Sequence, residues 1–189
     1  MTDRHLMEAV NAGDPTAIGL LVEKYRLRIL KFLIGRGETR DDALDLCQEV
    51  LARVCSRAAS FNGMALSAWI FGVARNLQID AKRKRNFKLR KLTTAEPEAL
   101  AAAPASRGSH PELSTAQAEI RRRVEDAIKG LPPRQREVVE LRLLGELTLE
   151  EIAETVGMTS GGVKSTLHNA LASLRRSLAD LKDMSHVDL

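Results

Sequence analysis

Asp41, Asp45 and Glu49 stand four residues apart in "RDDALDLCQEVLARVCSRAASFNG", so a helix there sets three carboxylates along one face. Such a row can hold Mg²⁺ for nuclease-type hydrolysis, or it can meet a partner protein as a charged surface. The first use needs oxygens converging from several elements and a general base, and one solvent-facing helix supplies neither. A second group is cationic. "WIFGVARNLQIDAKRKRNFKLRK", residues 69–91, begins with the single tryptophan, Trp69, passes through Asn76 and Asp80, and ends in a crowd of lysines and arginines. Its eight cations against one carboxylate give a net +7, which leaves −3 for the rest of a chain whose total is +4. A basic stripe on a slightly acidic body suits a localised polyanion contact. A third group, Ser160, Lys164, Ser165 and His168, follows the apolar run "TLEEIAETVG" and projects from a helix whose first turn holds Gly161 and Gly162. Two such glycines cost roughly 1 kcal/mol each against alanine, and close approach of backbone N–H groups to a phosphate is a compensating gain. Lys164 can serve a phosphate or a base edge.

The remaining chemistry is sparse. If Cys47 and Cys55 share a helix, their Cα atoms lie about 12 Å apart, too far to bridge. There is no CxxC pair and the four histidines are scattered, so neither a metal centre nor a cofactor is expected. The opening "MTDRHLMEAV" lacks the apolar stretch of a signal peptide. No apolar run approaches the roughly 20 residues a membrane span needs. The expectation is a reduced, cytoplasmic setting without membrane insertion.

The elements that must hold these groups are helical. Asp14 and Pro15 open "DPTAIGLLVEKYRLRILKFLIGRG", where Ile18, Leu21, Val22, Tyr25, Ile29 and Phe32 recur at helical spacing before Gly35 and Gly37. The acidic stretch carries its own stripe, Ala43, Leu46, Cys47, Val50, Leu51 and Val54. The basic helix is rooted by Leu66, Ile70, Val73, Ala74 and Leu77. Residues 92–113, "LTTAEPEALAAAPASRGSHPEL", hold three prolines and no sustained period, the mark of a flexible linker. Beyond it Ile120, Val124, Ile128 and Leu131 resume a helix, "LPPRQREVVELRLLGE" gives another, and the last apolar stretch gives two more. Thr148 and Glu151 form a T-x-x-E capping pattern, Ala153 allows a close crossing, and Gly157 suits a turn at positive φ. Val163, Leu167 and Leu171 are expected to face inward from a helix capped by Thr159 or Ser160. Two short helices joined in this way read as a helix-turn-helix. The fold class expected is all-α, with small helical domains at 1–91 and 114–180, a linker at 92–113 and a tail at 181–189.

Two stretches narrow the reading further. "DDALDLCQEVLARV" and "WIFGVARNLQIDAKRKR" resemble the signature helices of domain 2 of bacterial sigma factors, and "LPPRQREVVELRLLGELTLEEIAETVGMTSGGVKSTLHNAL" resembles domain 4. The short chain, with a linker in place of a third domain, resembles the extracytoplasmic-function group. The resemblance implies a non-catalytic initiation subunit that binds core RNA polymerase and directs promoter-specific transcription. It implies that the loop from Ser56 to Leu66 and the basic helix open the promoter's −10 element, with Phe61, Asn62, Trp69, Arg75, Asn76, Asp80, Lys82 and Arg83 as candidates. An unstacked base needs a pocket with hydrogen-bond partners, and the strand's backbone needs cations along its track. For Trp69 a place in the core is an equal alternative to stacking on DNA. The −35 candidates are Ser160, Gly161, Gly162, Lys164, Ser165 and His168. The acidic helix is implied to dock on the clamp helices of the polymerase's largest subunit through Asp45, Leu46, Gln48, Glu49 and Leu51, and the second domain to meet the flap of the second-largest subunit. An anti-sigma factor is an implied partner.

About 22 linker residues reach at most roughly 75 Å extended, against about 26 Å root-mean-square as a free coil. The two promoter elements lie about two helical turns, roughly 70 Å, apart. The tether therefore spans them only when held extended, and isolated protein is expected to bind promoters poorly. The chain departs from many relatives at Thr166 and Asn169, where arginine is frequent, at Leu51, where phenylalanine is frequent, and at Ala65, where a capping serine is common. The rival readings are a stand-alone helix-turn-helix regulator and a metal-dependent nuclease built on the acidic stripe.

Overall fold

The computed structural model describes residues 2–93 and 115–179, and every regular element among them is helical. The expected linker from residue 94 onward and the tail from residue 180 lie outside the described residues. Helix α1 (Asp3–Asn11) is capped by Thr2, α2 (Pro15–Gly35) by Asp14 with Pro15 in its first turn, and α3 (Arg40–Ser56) by Thr39. A single 3₁₀ turn (Ala58–Ser60) and an irregular loop lead into α4 (Leu66–Thr93), which runs slightly past the expected boundary at 91. The second half comprises α5 (Thr115–Gly130), α6 (Pro133–Leu143), α7 (Leu149–Val156) and α8 (Ser160–Ser177).

The first core is aliphatic with a few rings. Leu21, Ile29, Phe32 and Leu33 of α2 are fully buried against Ala43, Val50 and Val54 of α3 and Leu66, Ile70 and Ala74 of α4. All six residues of the expected α3 stripe are buried. On α4 the stripe is broader than expected: Val73 is half-buried, while Ala68, Phe71 and Gln78 are also buried. A helix apolar over so wide an arc has two neighbours to pack against, and the second one is the other half of the chain.

The two halves share this core. Val138 and Leu141 of α6, Leu147, and Ile152 and Ala153 of α7 belong to the same buried cluster as the helices of the first half. Phe71 sits at the junction. Its ring meets Phe32 edge-on at 5.3 Å between centroids, and Arg28 lies over it at 5.4 Å. Gly145, between α6 and α7, is required there. A Cβ at this position would come within 2.7 Å of the Leu141 carbonyl oxygen and 2.8 Å of Leu147, with Phe71 just behind.

A smaller cluster, Leu131, Val139, Ala170 and Leu174, seats α8 on α6. Here one expectation is corrected: Leu171 is 40% exposed, and Ala170 and Leu174 take the inner face with Val163. The reason is helical drift. Steps of four residues advance about 40° beyond a full turn each time, so Leu171 has rotated outward, whereas Ala170 and Leu174 stay close to the line of Val163.

Candidate nucleic-acid interface

The helix-turn-helix is built as its residues dictate. The Thr148 hydroxyl accepts from the Glu151 backbone N–H at 3.2 Å, and the Glu151 carboxylate accepts from the Thr148 N–H at 2.8 Å, which completes a capping box. Gly157 ends α7 at φ +66°, in the left-handed region where a side chain is strained. Thr159 then caps α8 by accepting from the Gly162 N–H at 3.1 Å. This geometry leaves Ser160, Gly161, Lys164, Ser165 and His168 exposed along one side of α8, with Gly162 half-buried over the cap. Asn169 is exposed beside them, whereas Thr166 is turned back to donate to the Gly162 carbonyl at 2.8 Å.

The candidates of the first half divide into open and engaged groups. Asn62, Asn76, Asp80 and Arg83 are exposed, and Arg83 lies 3.9 Å from Asp80. Phe61 and Trp69 are half-buried and pack on each other with centroids 5.5 Å apart. Asn62 accepts from the Met64 N–H at 3.4 Å, and a cleft of about 390 Å³ opens beside this loop, lined by Arg4, Glu8, Asn11, Phe61 and Asn62. Arg75, by contrast, donates to Glu137 of α6. Lys82 donates to the Arg36 carbonyl at 2.8 Å, and burial lowers its pKa from the usual lysine range.

Behind Lys82 lies a polar network that period and composition do not reveal. Gln78 donates to the buried Glu38 at 3.0 Å, and Arg85 closes on the other Glu38 oxygen at 2.6 Å. Arg36 donates to both Gln78 and Glu140, and it lies over the Phe32 ring at 5.1 Å. Burial raises the pKa of Glu140, although Arg36 and Lys82 oppose the shift.

On the acidic helix, Asp41, Asp45, Gln48 and Glu49 are exposed, with Glu49 accepting from Arg53 at 2.7 Å. Leu46 and Leu51 are each only 8% exposed and point into the core. The open face of α3 is therefore polar. Among the described residues no three His, Cys, Asp or Glu side chains are grouped to hold a metal ion. Among those residues, too, no helix is long and apolar enough to cross a membrane.

Between α2 and the α5–α6 pair runs a groove of about 1620 Å³, floored by Leu27, Leu30, Ile34, Val124, Ile128 and Leu143. Arg26, Lys31, Arg121 and Arg134 stand among its walls.

Comparison with known proteins accounts for these features together. Residues 21–88 match the family Sigma-70 region 2, and residues 121–174 match Sigma-70, region 4. The chain is 32% identical over 177 residues to the ECF RNA polymerase sigma factor RpoE of Cereibacter sphaeroides, with 92% of this chain and 93% of that protein covered. It is also 32% identical over 177 residues to the ECF RNA polymerase sigma factor BldN of Streptomyces coelicolor, where 93% of this chain spans 65% of the longer relative. Among solved structures, CnrH in complex with the cytosolic domain of CnrY has the same fold. Its TM-score is 0.69 at 20% identity, covering 94% of this chain and 97% of that one. The sigma factor RpoE of Bartonella quintana, in complex with the anti-sigma factor NepR, aligns at 28% identity with a TM-score of 0.57, covering 87% and 94%. The helical pair with its open acidic face, the basic α4 and the capped helix-turn-helix are thus parts of one design, and the chain belongs to the extracytoplasmic-function family of RNA polymerase sigma factors, non-catalytic subunits that direct promoter-specific initiation.

Proposed function

We propose that residues 1–91 bind core RNA polymerase and open the −10 element, that residues 114–180 read the −35 element, and that residues 92–113 tether the two in the cytoplasm. The exposed α3 side chains Asp45, Gln48 and Glu49 meet the clamp helices of the largest subunit. Leu46 and Leu51 contribute by fixing the helix in its core rather than by touching the partner. The second module meets the flap of the second-largest subunit. On DNA, the Phe61–Trp69 pair and Asn62 border the place for an unstacked base, while Asn76, Asp80 and Arg83 line the strand's path. Arg75 and Lys82 join them once their internal partners let go. Ser160, Gly161, Gly162, Lys164, Ser165 and His168 form the face presented to the −35 major groove.

One observation carries this reading: a cationic helix tip and a capped helix-turn-helix with an open polar face occur in one chain whose relatives are sigma factors over nearly its whole length. The groove beside α2 favours an anti-sigma partner as well. Its apolar floor and cationic walls fit an amphipathic helix edged with carboxylates, and the Bartonella quintana relative is solved with an anti-sigma factor. Asp45→Arg with Glu49→Arg tests the polymerase face. Both side chains are exposed, and the change breaks only the exposed Glu49–Arg53 pair, so the variant should lose little thermal stability and lose core polymerase in a co-purification. Undiminished association would remove α3 from that interface.

A further inference from the structure

The groove between α2 and the α5–α6 pair leaves large apolar side chains in the open. On its floor Leu27 is 66% exposed and Leu143 59%, beside Ile34, Val124 and Ile128. A contiguous apolar floor of this kind marks a docking surface. Its rim has a sign as well: ten lysines and arginines against five glutamates line the groove, a net of +5. Arg26, Arg40 and Arg121 are exposed among them. The occupant must therefore carry an apolar side edged with carboxylates.

The chain holds such a segment just beyond α8. Residues 180–189, "DLKDMSHVDL", have three aspartates against one lysine. At helical spacing, Leu181, Met184 and Val187 share an arc of about 160° with Asp180, Asp183 and Asp188. Lys182, Ser185 and His186 take the opposite side, and Leu189 falls outside the pattern. The segment also starts in the right place. Leu174, in the last full turn of α8, packs on Leu131 with Ala127 and Ile128 against it, and Ile128 lies on the groove floor. The seven residues from Leu178 to Met184 reach at most about 25 Å, while packed helices lie about 8–10 Å apart. Passing round the end of α5 is within that reach.

We propose that residues 180–189 dock in this groove of their own chain, with Leu181, Met184 and Val187 on the apolar floor and the aspartates toward Arg26 and Arg121. Attachment makes a weak contact effective. A tether this short holds its segment at an effective concentration of about 1 mM, so an intrinsic affinity of about 0.1 mM keeps the groove roughly nine-tenths filled. The tail then acts as a built-in competitor. Any amphipathic helix entering the groove from another protein displaces it first, and its apparent affinity falls by about the same tenfold. The inference concerns the chain alone and does not rest on an anti-sigma partner.

The test uses the full chain in two arms. In the first, Met184→Cys in a Cys55→Ser background carries a benzophenone, and the products of illumination are mapped by mass spectrometry. Cross-links into residues 26–34 or 121–128 of the same chain support the docking. Cross-links elsewhere, none at all, or links only between isotopically distinct copies overturn it. In the second arm a fluorescent peptide of residues 178–189 is titrated by anisotropy into the wild type and into a full-length variant, Leu181→Ser with Met184→Ser and Val187→Ser. The variant's own tail cannot fill the floor, so it should bind the peptide roughly tenfold more tightly than the wild type does. Equal affinity for both proteins, or binding to neither, overturns the proposal. Arg26→Glu with Arg121→Glu, added to the variant at exposed sites, should weaken the peptide roughly tenfold, and an unchanged affinity places the peptide outside the groove. A scrambled peptide of the same composition should bind the tail variant at least about tenfold more weakly. Equal binding of the two peptides would mean bulk charge alone and also sinks the proposal.

Discussion

Phe71→Ala is the most searching perturbation of the shared core. The side chain is fully buried and pairs edge-on with Phe32. Truncating a buried phenylalanine costs about 3–5 kcal/mol, with about 0.5–1.5 kcal/mol traceable to the lost aromatic pair. Against the 5–15 kcal/mol typical of a folded domain, that is a large fraction. Leu147→Ala removes a fully buried partner from the other half of the chain at a cost of about 2–5 kcal/mol. Both side chains flank the same point, near where a Cβ of Gly145 would sit. If the halves are one cooperative unit, the double variant should depart from the sum of the single variants by at least about 0.5 kcal/mol. The assay is urea unfolding of the four proteins, followed by far-ultraviolet circular dichroism and by Trp69 fluorescence. Dichroism reports on all helices, while the tryptophan reports on its own surroundings in α4. Coincident midpoints and a non-additive double variant are expected. Additivity within about 0.3 kcal/mol, together with midpoints that separate, would refute the idea that the modules share a core.

Further expectations concern single sites. Thr148→Ala removes half of the α7 capping box and should cost about 1 kcal/mol in thermal or urea melts, with −35 duplex binding weakened and polymerase association retained. Lys82→Ala with Arg83→Ala should weaken holoenzyme transcription and reduce the slope of log affinity against log salt by up to about 1.4, or roughly 0.7 per lost single-strand phosphate contact. An unchanged salt titration would take both residues off the DNA. Glu140 gives a pH test. Its folded pKa is raised by burial, so its contribution to stability is fully present below the ordinary glutamate range and is lost as pH rises through the elevated value. Glu140→Gln mimics the protonated form and leaves Arg36 with Gln78 and the Phe32 ring. The variant's melting temperature should therefore gain most on the wild type near pH 7–8, with the difference shrinking on acidification. The opposite trend would mean that the pairing with Arg36 outweighs desolvation.

Local signals wrote much of this fold openly. Asp14 with Pro15, Thr148 with Glu151, and Gly157 each mark a helix end through chemistry confined to a few residues, and each stands where the pattern requires. The α3 stripe was legible because one face of that helix packs on one core. The union of the two halves was not. Phe71, Leu147 and Glu154 meet partners more than 30 residues away, and no periodicity carries that pairing. A trace of it was present in α4, where Ala68 and Phe71 beside the Leu66–Ile70 stripe widen the apolar arc beyond what one neighbour can cover. Arg75 and Lys82 look like open cations in the sequence for the same reason: their partners, Glu137 and the Arg36 carbonyl, are supplied by distant elements.

The most direct trial of the account is run-off transcription with purified chain and core RNA polymerase on a library of genomic fragments. It should yield discrete start sites that share two upstream motifs, both dependent on the added chain. Transcripts no different from those of core enzyme alone, or no association with core enzyme at all, would contradict it.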